Sequence, residues 1–172
     1  MFILRAFMLL ALVVWLGGII FFAFVVAPNL FSMLDTQIAG NVVRRDLMFL
    51  HPIGLASGLV FLICSAVYSR LNSGRWRPFA LANLLVLLML VFTLVQARLM
   101  PRMDAVRTVI HISEIDSPSA SYMADQLSMT KEQLRTAAQA DFDRLHRWST
   151  RLEGGVLLLG LVVVGLTARR LS

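Results

Sequence analysis

From Ala6 to Leu34 the chain runs twenty-nine residues without a charged side chain. At the helical rise of about 1.5 Å per residue, Ala6 to Val26 alone matches the roughly 30 Å hydrocarbon thickness of a bilayer. The pattern therefore predicts a membrane span. Three further apolar runs follow. Leu47 to Ser69 carries only His51 as a titratable side chain, and Pro52 near its start fits a helix's first turn. Pro78 to Ala97 opens with a proline at an expected first helical position. Gly154 to Ala168 measures only about 22 Å as a helix, too short to cross upright. It must borrow residues upstream, which places Trp148 at the interface as an anchor with Arg151 and Glu153 near the headgroups.

The predicted fold is all-α: a four-transmembrane-helix bundle forming a single domain over 1–172, with an amphipathic extramembrane extension preceding the last helix. The expected spans are 6–26, 47–69, 78–97 and 148–168, and the connection 98–147 lies outside the bilayer. A cleavable secretory signal would have an apolar core of about 7–15 residues and a small-residue cleavage site. The first run is longer and Ala27 is followed by Pro28, so it is expected to remain as a span.

The connections between the runs carry their own signals. In the first, Asn29 to Arg45, Asp35 is a plausible helix cap, and Ile38, Val42 and Val43 share one helical face. A short interfacial helix is expected there. In the long third connection, Ile112 to Ser128 is serine-rich around Pro118 and reads as a loop. Thr130-Lys-Glu-Gln133 then forms a capping box, with Met129 and Leu134 as its hydrophobic staple. Leu134, Ala138, Leu145, Trp148 and Leu152 recur at helical spacing, so one helix is expected from Lys131 into the fourth span.

Composition agrees with this layout: 58% of residues are hydrophobic and 15% charged, well away from the soluble average. Four spans put the N-terminus, the Arg70–Pro78 loop and the C-terminus on one side. That side holds Arg5, Arg70, Arg75, Arg77, Arg169 and Arg170 with no Asp or Glu. Basic residues beside span ends favour the cytoplasm, so both termini are expected there, in a bacterial inner membrane. The lipid bilayer is the implied partner of the apolar runs. The net charge of +6 calls for no nucleic acid, because no basic-aromatic surface module accompanies it. The single cysteine, Cys64, lies inside an apolar run, which excludes a disulfide framework and a C-x-x-C site.

Candidate chemistry gathers at the non-cytoplasmic membrane edge. On the last helix His146, Ser149 or Thr150, and Glu153 form a polar stripe. His51, Gln96 and Arg98 are expected at the same level from the second and third spans. His146 and Glu153 are two turns, about 10 Å, apart along the axis and cannot pair directly. His51 is the leading candidate to approach His146. Together with Glu153 they could ligate a metal ion, bind haem or relay protons. The favoured reading is nonetheless structural, histidines hydrogen-bonded at the interface, since no H-E-x-x-H or C-x-x-C-H spacing is present. His111 stands alone in the expected loop. Gly54 and Gly58 form a G-x-x-x-G that lets helix backbones approach closely, with Gly17 and Gly18 acting likewise in the first span.

Three segments carry a family resemblance. Trp15-Leu-Gly-Gly-Ile-Ile-Phe-Phe through Ala27-Pro28-Asn-Leu-Phe31, then Leu99-Met-Pro101-Arg102-Met with Arg107, then Phe142-Asp-Arg-Leu-His146-Arg-Trp-Ser149 occur in that order. The chain resembles the transmembrane protein 205-like family, a four-span membrane domain of unknown function. That resemblance marks Trp15, Gly17, Gly18, Ala27, Pro28, Phe31, Pro101, Arg107, His146 and Ser149 as family-pattern positions and implies no established activity. The serine-rich stretch 112–128 departs from the pattern. The Trp15-x-x-Gly18 spacing also looks distantly like small haem- or copper-associated membrane proteins, from which this chain differs in having no histidine in its first span.

The sequence thus favours a non-enzymatic accessory or small-solute/stress-related membrane component, with a membrane or periplasmic protein partner engaged through residues 98–147. A haem- or metal-binding redox protein using His51, His146 and Glu153 is the first alternative. A small transporter is the second; the spans' interiors lack the charged residues and broken-helix repeats it would use.

Overall fold

The computed structural model describes residues 2–71, 79–114 and 117–171, and its described residues form helices joined by short turns. In order these are α1 (Phe2–Phe21), a π-helical segment (Phe22–Val26), α2 (Ala27–Met33), α3 (Thr36–Leu71), α4 (Ala80–Glu114), α5 (Pro118–Gln126) and α6 (Lys131–Leu171). Four stretches are long and apolar enough to cross a membrane: Phe2–Met33, Thr36–Leu71, Ala80–Glu114 and Lys131–Arg169. Of the most apolar part of each, only 28%, 28%, 33% and 22% is buried within the chain. The rest faces outward, which suits lipid and would be an aggregation hazard in water. The protein is an all-α, four-span membrane protein.

The helices exceed the expected spans, for identifiable reasons. Pro28 has no N–H, and its ring crowds the carbonyl four residues back. The preceding backbone widens into the π segment, with the Ala27 N–H donating to the Phe22 carbonyl. The first span thus continues through α2 to Met33. It stops at Leu34, whose extended backbone (φ −126°, ψ 154°) turns the chain.

The first connection therefore shrinks to Leu34 and Asp35, and the separate interfacial helix is not formed. Ile38, Val42 and Val43 belong to α3, whose start is marked by the Ala39 N–H donating to the Asp35 carbonyl at 2.8 Å. Pro52, expected in a first turn, lies inside α3 instead. Neighbouring helices tolerate a missing backbone bond in a membrane helix that would break a soluble one. Pro78 lies outside the described residues.

The chain divides into two compact units, Met1–Val95 with Leu152–Ser172, and Gln96–Arg151. In the first, buried positions recur in alternating steps of three and four: Met8, Leu12, Trp15 and Ile19 on α1, and His51, Gly54, Gly58, Phe61, Ser65 and Tyr68 on α3. Phe79, Ala82, Val86 and Met89 continue the pattern into α4, as do Val156, Gly160, Val163 and Thr167 on α6. Such spacing makes one straight seam per helix, the arrangement of helices packed at shallow angles.

Glycines show which seams meet. A Cβ on Gly58 would sit 2.6 Å from Trp15 and 2.7 Å from Leu90, joining α3 to α1 and α4. One on Gly155 would meet Phe92 at 3.0 Å, and one on Gly160 would overlap Leu16, joining α6 to α4 and α1. The four helices close into a ring in the order α1, α3, α4, α6.

The second unit is an antiparallel hairpin of the α4 and α6 extensions with α5 between them. Its register is visible in three pairs that climb the hairpin. Gln96 donates to Ser149, Arg107 lies over Phe142, and Arg135 pairs with Glu114 at 3.4 Å.

The sequence reads 112–128 as a loop around Pro118 and leaves His111 isolated in the same connection. Instead His111 lies in the last turn of α4, and Pro118 opens α5 behind Ser117, whose hydroxyl accepts from the Ser119 N–H at 3.2 Å. Positions 115 and 116 lie outside the described residues. Ser128 ends α5 in a left-handed conformation (φ 52°). The Met129 N–H returns to the Ala124 carbonyl at 2.9 Å, closing a Schellman turn where glycine is usual. The capping box is formed: the Thr130 N–H donates to Gln133 Oε1 at 2.8 Å, and the Gln133 N–H to Thr130 Oγ1 at 3.2 Å. Leu134 is buried, whereas Met129 is exposed.

Candidate functional site: a glycine-seated tryptophan and a polar hairpin base

In the first unit the chemistry-bearing residues centre on Trp15, which is 2% exposed. Its indole lies across the face of α3 that Gly54 and Gly58 leave bare. A Cβ on Gly54 would stand 2.5 Å from the indole Nε1, and one on Gly58 2.6 Å from Cζ3. His51 occupies the same seam one turn before Gly54 and is buried. Here the two glycines seat a large aromatic ring.

Among the other family-pattern positions in this unit, Gly18 faces Leu50, whereas Gly17 meets nothing within 4 Å. Ala27 and Pro28 begin α2 beyond the π segment, and Phe31 is exposed. Glu153 is half-buried in this same unit.

In the second unit, two polar contacts tie the base of the hairpin together. Gln96, buried on α4, donates through Nε2 to the Ser149 carbonyl at 3.3 Å and to Ser149 Oγ at 3.4 Å. Both groups are thereby satisfied where an orphaned amide would be costly. Above them Arg107 holds its guanidinium 5.5 Å from the centroid of Phe142. One turn along α6, His146 stacks on that ring, centroids 6.0 Å apart with planes 4° from parallel. Arg107, Phe142 and His146 therefore form one cluster, and Gln96 with Ser149 a separate polar contact. Pro101, by contrast, lies exposed inside α4.

The two histidines have different surroundings. His51 belongs to the first unit and is buried, whereas His146 belongs to the second and is exposed. Thr150 donates its hydroxyl to the His146 carbonyl at 3.0 Å. No group of three or more His, Cys, Asp or Glu side chains suited to a metal ion occurs among the described residues. What these contacts can do is hold α4 and α6 in register, through the Arg107 cation over the Phe142 ring and the Gln96 amide on Ser149.

Sequence reading had named Gln96, His146 and Ser149 but missed the role of Phe142 as the surface shared by Arg107 and His146. Its signal was present: Phe142 and His146 stand at i, i+4. Ser65 was read only as a small packing residue beside Gly54 and Gly58, and the other polar members of the first unit's seams, Tyr68, Asn83 and Thr167, were missed. They sit inside apolar runs at heptad-like spacing, which a search for metal or nucleophile motifs passes over.

Neither a curated protein nor a solved structure matches the chain. The model of a domain of unknown function, DUF4149, matches residues 10–111, from the first span through most of α4. With more than half of its residues inside that match, the chain belongs to the DUF4149 family.

Proposed function

We propose that this is a non-enzymatic accessory protein of the bacterial inner membrane, in which the four-helix unit is the anchor and the hairpin is the part offered to a protein partner. Both termini are cytoplasmic and the hairpin is periplasmic, on the strength of the acid-free arginines near the terminal span ends. The transmembrane protein 205-like resemblance supports the four-span membrane anchor alone. The observation that carries it is at the hairpin's tip: Tyr122, Met123, Leu127 and Met129 all expose their side chains, Tyr122 by 66% and Leu127 by 55%. Tyr122 and Met123 are borne on α5, which is itself capped at both ends, and Leu127 and Met129 on the turn that closes it. Aromatic and methionine side chains are the types enriched in protein interfaces.

A photoreactive phenylalanine analogue placed at Tyr122 or Leu127 is expected to give one protein adduct of defined mass in cells. The same analogue at Gln139, on the polar side of α6, should give none. Adducts with lipid alone, or equal adducts from all three positions, would contradict the partner role.

A further inference from the structure

We propose that Ser65, Asn83 and Thr167 form a hydration site inside the four-helix unit, entered from the end of the bundle that holds the chain termini. Ser65 and Thr167 are both 0% exposed, yet neither hydroxyl has a hydrogen-bond partner among the described residues, and the same holds for the buried Oδ1 of Asn83. A buried hydroxyl on a helix ordinarily returns to the carbonyl one turn back. Thr93 does so in this unit, donating to the Met89 carbonyl at 3.0 Å. Ser65 and Thr167 forgo that bond, and an unmet buried hydroxyl costs roughly 1–3 kcal/mol.

The helical register brings the three together. The glycine contacts define one layer across the bundle: Trp15 and Leu16 on α1, Gly58 on α3, Leu90 on α4 and Gly160 on α6. Moving seven positions from Trp15, Gly58, Leu90 and Gly160 toward the termini reaches Met8, Ser65, Asn83 and Thr167. Two turns are about 10 Å on every helix, so these four residues share a layer. Three of its four members carry side-chain oxygen, and Met8, also 0% exposed, supplies the fourth wall.

Beyond this layer, toward the termini, Arg5 donates to the Tyr68 hydroxyl at 2.6 Å and Ser69 is buried. Polar groups thus continue outward, beside Phe79, which packs edge-on against the Tyr68 ring. On the inner side the tightly packed Trp15–Gly58–Leu90 layer is apolar. Two hydroxyls and an amide oxygen offer donors and acceptors together, the environment in which a buried water makes its two to four bonds. The terminal half of the bundle is hydrated as far as this layer and closed at the next. This inference does not depend on the hairpin's role.

Thiol chemistry tests it, because only the hydrated thiolate reacts with a charged methanethiosulfonate. In a Cys64→Ala background of the full chain, Ser65→Cys and Thr167→Cys are expected to react about ten-fold or more faster than Val86→Cys, a buried apolar position one turn deeper. Equal, slow reaction of all three in the folded protein overturns the proposal. Thr167→Val provides an independent readout with little change of shape. Loss of a hydrated hydroxyl lowers the melting temperature, whereas removal of an unsatisfied one from a dry layer raises it, and a rise would likewise overturn the site.

Discussion

Gly58→Leu is expected to destabilise the detergent-solubilised protein by about 3 kcal/mol or more, whereas Val60→Leu should leave its melting temperature nearly unchanged. A first added carbon at Gly58 already falls 2.6 Å from the Trp15 ring and 2.7 Å from Leu90. The remaining atoms of a leucine have no space short of separating α3 from both neighbours. Val60 lies on the outward side of the same helix, and one more methylene there meets lipid. Because Trp15 fills what Gly54 and Gly58 leave open, Trp15→Ala should itself cost about 3 kcal/mol by leaving a cavity. The double variant Trp15→Ala/Gly58→Leu should cost clearly less than the two single losses together, since each change relieves the other. Thermal denaturation of the four proteins measures the coupling. Additive losses would mean that the ring and the glycine do not share one space.

The second large effect lies on α6, where three glycines in one span should respond with opposite signs. A Cβ at Gly160 overlaps the Leu16 side chain, standing 3.0 Å from both Cδ1 and Cγ, whereas Gly154 and Gly165 have nothing within 4 Å. Gly160→Ala must push α1 and α6 apart or force Leu16 out of its rotamer, at a cost of about 1–3 kcal/mol. Gly154→Ala and Gly165→Ala meet no obstacle and gain helix propensity, so each should stabilise by up to about 0.5–1 kcal/mol. The same three melting curves decide it. A stabilised Gly160→Ala would remove the α1–α6 contact and with it the closure of the ring.

The apolar runs made four membrane helices legible because a span needs length and the absence of charge, both properties of the string itself. The capping box at Thr130 was legible for a similar reason, being local in sequence. Features that depend on a distant partner, or on a locally unusual backbone, were harder to read. Pro52 looked like a helix start, yet packing holds α3 continuous through it. Pro28 gave no sign that the chain would absorb it by a π-helical turn and continue to Met33. Residues 112–128 resembled a loop because Pro118 and the serines are turn-formers. In fact Pro118 and Ser117 open α5, and Ser128 closes it in a conformation for which glycine is the usual signal.

At the candidate site, Gly54 and Gly58 could be recognised as a place of close approach. That the approaching group is Trp15 required the register of α1 against α3. The same holds for Gln96 and Ser149, and for Arg107 and Phe142, which are far apart in sequence and meet only when the hairpin closes. Ser65, Asn83 and Thr167 were individually unremarkable polar interruptions of apolar runs. Only their common layer sets them apart.

The proposed orientation, with both termini cytoplasmic and Ser119 across the membrane from them, is tested most directly by one labelled cysteine. Ser119 is exposed near the start of α5, so Ser119→Cys in a Cys64→Ala background presents a single thiol on the hairpin. With both termini in the cytoplasm, a membrane-impermeant maleimide should modify it in intact spheroplasts as completely as after lysis. Modification only after lysis would place the hairpin in the cytoplasm and contradict both the orientation and the periplasmic partner.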